Sequence, residues 1–150
     1  MTLQMEAIYN DSKRHDVWFQ LDDGTTFGGH RLVLANCESS WFQRMTEGDF
    51  KEAGQATVHV PEVRKEVFEL ALRTAYRVVV ISKCDRNFVE MGLEAASKFE
   101  LPRLAVDILN DIQNSNGDLQ CCFVEHALKY GSEFDVLTKK IELQVPHIIR

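Results

Sequence analysis

Five histidines (His15, His30, His59, His126, His147) and four cysteines (Cys37, Cys84, Cys121, Cys122) are the residues of this 150-residue chain best suited to metal or nucleophile chemistry. Their spacing argues against both. No HExxH or CxxC run occurs, no two histidines stand four apart, and Cys121 and Cys122 are adjacent, which suits neither a disulfide nor a tetrahedral zinc site. The cysteines read as reduced, packed thiols. Gly24, Gly28 and Gly29 follow neither the dinucleotide fingerprint nor the phosphate-loop pattern, and no lysine follows them, so they read as turn and bulge glycines. Asp16, His30 and Ser39 or Ser40 supply the residue types of a hydrolase triad, yet no strained GxSxG elbow carries the serine, and both serines precede a helical run as caps do. No catalytic residue, metal or cofactor is expected.

Composition narrows the class further. Hydrophobic residues make up 45% and charged residues 27%, with 3 Pro and 8 Gly, as in a globular protein with one ordinary core. The net charge of -6, with basic residues dispersed singly or in pairs, leaves no patch for a phosphate backbone. The longest apolar run, Val78 to Ile81, is far below the ~20 residues of a membrane span, and no basic-then-apolar leader opens the chain. Neither nucleic acid nor membrane is an expected partner, and a cytoplasmic or nuclear location is expected.

The elements read as follows. Val17, Phe19 and Leu21 alternate, and Asp22-Asp23-Gly24-Thr25 is a turn signal before a short run ending at Phe27, which predicts a hairpin. Leu32 to Ala35, then Trp41, Phe42 and Met45 behind the cap Ser39-Ser40, predict two short helices. Gly48 to Gln55 is loop by composition, Thr57 to Val60 is a strand stopped by Pro61, Val67 to Ala75 is a helix, and Val78 to Ile81 a β-branched strand. Helices follow from a cap at Asp85 to about Phe99, from Pro102 to Ile112, from a cap at Asp118 to Tyr130 with Gly131 as a left-handed stop, and from about Ser132 to Val145. Asn114 to Gly117 is the single polar break, so two segments are expected, 1–113 and a helical extension 114–150. The class is α+β, a small early sheet covered by helices and finished by a C-terminal helical hairpin.

Taken in order, these pieces resemble the BTB/POZ family over roughly residues 7 to 113. Asp16-Val17, Phe27, His30-Arg31 and Val33-Leu34-Ala35 look like the family's opening "DV...F.AH+.VLA". Ser39 to Phe42 resembles its "S.YF" helix, Gly48 to Glu52 its "G.FKE" loop, and Ala95 to Leu104 its "AA.KY.L..L" helix pair. Two departures stand out. Gly28-Gly29 precedes His30 where the family has Ala, and Tyr76-Arg77-Val78 replaces "YTG", so the turn after Tyr76 is made without the usual glycine. The segment before Asp16 is too short for a complete long N-terminal helix with its swapped strand. Residues 118 to 145, with "AL.YG" at Ala127 to Gly131, resemble the first helix pair of the BACK-type (3-box) extension of cullin adaptors.

The resemblance implies a protein-association module: a homodimer that also serves as adaptor for a cullin-RING ubiquitin ligase of the cullin-3 type, holding an unidentified substrate or partner protein. For cullin binding it implies the hydrophobic-x-Glu element Phe50-Lys51-Glu52, with Met45 on the preceding helix. The other reading of Phe50 is a core aromatic. For dimerisation it implies Leu3, Ile8 and Tyr9 on the N-terminal helix and the charged pair Asp16 and Arg31. The apolar three could equally pack on their own subunit, and the pair could brace strand against helix within one subunit. The alternative function is a homodimerisation module of a transcriptional regulator or scaffold without cullin contact. No Kelch, MATH or zinc-finger segment lies within the 150 residues, so the sequence names no substrate.

Overall fold

The computed structural model describes residues 2–47, 56–78, 84–113 and 117–144. The chain divides into two compact units, one of residues 1–79 with 99–101 and one of residues 80–98 with 102–150.

The first unit opens with helix α1 (Thr2–Tyr9) and a 3-10 turn (Ser12–Arg14), followed by strands β1 (Val17–Leu21) and β2 (Thr26–Gly29). These strands form the expected antiparallel hairpin, with Val17 opposite Gly29 and Gln20 opposite Thr26. Gly24 turns the chain at φ +89°, a left-handed conformation that costs a Cβ-bearing residue energy. The Asp23 carboxylate accepts from the Thr25 N–H at 2.8 Å and closes the turn. Strand β3 (Ala56–Val60) joins the other side of β1 in parallel, giving the order β2-β1-β3. Alternation decides what is buried: Val17, Phe19 and Leu21 are buried, while Trp18 and Gln20 turn away.

Helices α2 (Arg31–Ala35), α3 (Ser40–Glu47) and α4 (Lys65–Ala75) complete this unit. The buried faces of α3 and α4 meet the sheet through aromatic rings. Phe19 lies 5.6 Å from Phe42 and 5.3 Å from Phe68, and Phe99 lies 5.4 Å from Phe68. All four phenylalanines are fully buried. Edge-on and tilted ring pairs of this kind add ~0.5–1.5 kcal/mol each beyond the area they bury.

Several expectations are corrected here. Gly28 and Gly29 are not turn or bulge residues but lie inside β2, paired with Trp18 and Val17. Gly28 is small because a Cβ there would overlap the His15 ring. The turn after Tyr76 is made by Arg77 at φ +60°. The Arg77 N–H bonds to the Thr74 carbonyl and the Val78 N–H to the Arg73 carbonyl, both at 2.9 Å, which is the double bond of a Schellman stop built without glycine. The expected strand Val78 to Ile81 lies, beyond Val78, outside the described residues.

The second unit contains α5 (Arg86–Lys98), α6 (Pro102–Ile112), α7 (Gly117–Ala127) and α8 (Asp135–Gln144). Asp85 caps α5 as its sequence suggests, its carboxylate accepting from the Phe88 N–H at 2.8 Å. Asp118 is not a cap: α7 begins one residue earlier, at Gly117. The last helix begins at Asp135, not near Ser132, because a 3-10 turn over Leu128–Tyr130 and Gly131 at φ +66° use up the intervening chain. Leu93, Leu104, Ile108, Ile112 and Phe123 are fully buried, and Gln120 donates to the Gln113 carbonyl at 3.1 Å, tying α7 to the end of α6.

Candidate interaction surfaces

His30 sits at the centre of the opening motif, and its hydrogen bonds tie that motif to a distant segment. Its backbone N–H donates to the Tyr76 hydroxyl at 2.7 Å, and its ring Nδ1 lies 2.6 Å from the same oxygen. Its Nε2 lies 3.0 Å from the Asp11 carbonyl. One proton arrangement serves all three contacts: the hydroxyl accepts the backbone N–H and donates to Nδ1, while Nε2–H donates to Asp11. Burial pushes the Tyr76 phenol well above the usual tyrosine range, so the hydroxyl keeps its proton. The two residues sit 46 positions apart in sequence, and the bond pins β2 to the end of α4.

Asp16 accepts from the Arg31 backbone N–H at 2.8 Å. Helix α2 has no side-chain cap of its own, since His30 at its cap position turns away to Tyr76. A carboxylate from the start of β1 therefore satisfies an orphan donor of α2, where the helix dipole also favours negative charge. Of the two readings for Asp16 and Arg31, the bracing of strand against helix within one subunit is the one this bond supports.

The structure treats the predicted dimer residues differently from one another. Leu3 falls within α1, its side chain outside the described ones. Ile8 is exposed. Tyr9 turns onto its own subunit, its ring 5.1 Å from that of Tyr76 and 5.0 Å beneath the Arg73 guanidinium. Burial raises its phenol pKa despite that cation. Sequence reasoning missed Leu32, the most exposed large apolar side chain among the described residues of this unit at 79%. Its signal was available: a leucine between Arg31 and Val33 in a helix of five residues has room on only one buried face.

Of the predicted cullin-contact residues, Phe50 and Glu52 lie outside the described residues. Met45 lies on α3, half-buried, one turn after the half-buried Trp41. Helix α3 is fixed by Ser39, whose hydroxyl donates to the Phe99 carbonyl at 2.5 Å and accepts the Phe42 N–H at 3.0 Å. Arg44 of the same helix meets Glu100, just beyond the end of α5, at 2.7 Å. Of the residues considered for a triad, three are engaged elsewhere: Ser39 with Phe99, His30 with Tyr76, Asp16 with Arg31. Burial raises the thiol pKa of Cys37 and Cys122, and that of Cys84 to about 11, so these thiols stay protonated and unreactive at neutral pH. Among the described residues no helix is long and apolar enough to cross a membrane, and no group of three or more metal-ligating side chains converges.

The family model of the BTB/POZ domain matches residues 5–116, and the chain belongs to that family. It is 33% identical over 101 residues to Kelch repeat and BTB domain-containing protein 8 of Danio rerio, covering 67% of this chain and 16% of that protein. It is 30% identical over 89 residues to Rho-related BTB domain-containing protein 1 of Homo sapiens, covering 59% and 12%. Similarity to the ARM repeat protein interacting with ABF2 of Arabidopsis thaliana is 35% over 71 residues, covering 47% and 10%. The chain thus spans about a sixth or less of the length of these relatives. As a BTB/POZ domain it is a protein-interaction module.

Proposed function

We propose that this module self-associates as a homodimer and serves as an adaptor for a cullin-RING ubiquitin ligase, without enzymatic activity of its own, in the cytoplasm or nucleus. The observation that carries the first half is a pair of apolar side chains left in solvent in the first unit, one on α1 and one on α2. Ile8 and Leu32 are 38% and 79% exposed, and a helix as short as α1 is marginal unless something packs on it. Light scattering checks it: twice 17.2 kDa at micromolar concentration is expected, and a monomer mass would overturn it.

The adaptor half is supported by the half-buried Met45 on α3, the helix that precedes the aromatic of Phe50-Lys51-Glu52 in the sequence. An aromatic anchor of this kind carries most of an interface's energy, while a neighbouring carboxylate sets orientation. Phe50→Ala is expected to weaken binding to a purified cullin N-terminal region by ~2 kcal/mol or more, about thirtyfold. Glu52→Ala and Met45→Ala should weaken it less. Melting temperature should stay unchanged, and a lowered one would instead make Phe50 a core residue. Absence of wild-type binding at tens of micromolar would leave a self-association module of a regulator or scaffold. We assign residues 1–113 to the association domain and 114–150 to a BACK-like extension, in keeping with the family match ending at residue 116.

A further inference from the structure

His15 takes no part in the clamps described above, yet its ring is packed against the domain. Its ring meets that of His30 edge-on at 4.8 Å, and Gly28 of β2 leaves the space it occupies. Its Nε2 is shut away from solvent and has no hydrogen-bond partner among the described residues. The segment that His15 closes is α1 with its following turn. That segment is otherwise held by the Tyr9 ring on Tyr76 and Arg73 and by the Asp11 carbonyl on His30 Nε2.

We infer that His15 is a proton-operated latch, holding α1 and the turn behind it on the domain while neutral and loosening them when charged. The charged ring would bury its unpartnered Nε2 and set a cation against the neighbouring imidazole. The groups around the ring oppose one another. Burial and His30 disfavour the charged form, whereas Asp11, Asp16 and the Tyr9 carbonyl favour it. Asp11 is itself engaged by Arg14 at 2.5 Å, and Arg73 and Tyr76 on α4 meet Tyr9 and His30 rather than His15. Burial is the largest of these effects, and the balance lowers the His15 pKa below that of an ordinary histidine.

The sign follows. Above the ordinary histidine value the ring is neutral both folded and unfolded, so docking is at full strength. Stability is lost as pH falls from that value through the lowered one. The loss in α1 docking amounts to about tenfold for each unit by which the His15 midpoint is lowered.

Amide hydrogen exchange on the full chain, corrected for the intrinsic pH dependence of exchange, reads this directly. Between pH 7 and pH 5 the protection of residues 6–14 should fall while that of β1 amides holds. In His15→Phe the fall should vanish. Equal protection at both pH values in the wild type, or the same fall in His15→Phe, would overturn the latch. If His15→Phe does not fold, titration of the His15 ring in the wild type by NMR decides instead. A midpoint below the ordinary histidine value supports the latch, and one at or above it refutes it.

Discussion

The two compact units of this chain are built from different side chains. The first has a small sheet whose core is a set of phenylalanines meeting at ring distances of 5.3 to 6.0 Å, stitched by side-chain bonds between residues far apart in sequence. The second is helical, its buried faces mostly Leu, Ile, Val and Ala with Phe123 and Phe134, and its exposed faces carry Leu128 and Val136 at 61% and 72%. Periodic aliphatic faces tolerate repacking, because many volume-conserving combinations fill them. Edge-to-face rings and buried bonds do not, since each has one geometry. A motif specific enough to identify a family should therefore be concentrated in the first unit.

The largest expected effect tests that contrast. Phe68→Ala should destabilise by ~3–5 kcal/mol, the usual cost of emptying a buried phenylalanine site, whereas Leu109→Met in the second unit should cost less than ~1.5 kcal/mol. Denaturant melts of the two variants compare them directly. Comparable losses would erase the distinction.

The His30 clamp comes next. Tyr76→Phe keeps the ring but removes the oxygen that receives the His30 N–H and faces Nδ1, leaving two buried groups unsatisfied at a cost of ~1–3 kcal/mol each. A melting temperature equal to that of the wild type would mean the clamp is decorative. Asp16→Ala should cost ~0.5–2 kcal/mol, the range for losing a helix cap. In a double-mutant cycle with Arg31→Gln, little coupling is expected if the Asp16 bond runs to the backbone, and a large coupling would restore a side-chain pair.

The smallest effects concern the surface. Arg77→Gly should stabilise by ~1 kcal/mol, because Arg77 holds a left-handed conformation that glycine adopts freely. Glu100→Gln, which removes the exposed ion pair with Arg44, should cost at most ~1 kcal/mol, and 1 M salt should erase that difference.

Much of the fold was legible without coordinates. Alternation at Val17, Phe19 and Leu21, the Asp-Gly turn and the caps at Ser39 and Asp85 are local signals, and each element they announce is present. Where the sequence misled, a local rule met a tertiary competitor. Gly28 looked like a turn residue but makes room for a ring that arrives from outside the hairpin. Asp118 looked like a cap, yet the helix begins a residue sooner.

The candidate interaction residues divide in the same way. Their types and spacing were visible, but spacing says nothing about which way a short helix turns. Ile8 and Tyr9 are neighbours in α1, and only the docking of one ring between Tyr76 and Arg73 sends Tyr9 inward and leaves Ile8 in solvent. The sequence by itself determined most of the described elements and the family, because propensity, periodicity and ordered motifs are properties of neighbouring residues. The tertiary structure alone decided that Asp16 caps α2, that Tyr76 satisfies His30, and that His15 is shut in against it. Those outcomes depend on bonds closing across as many as 46 residues, whose partners no local pattern names.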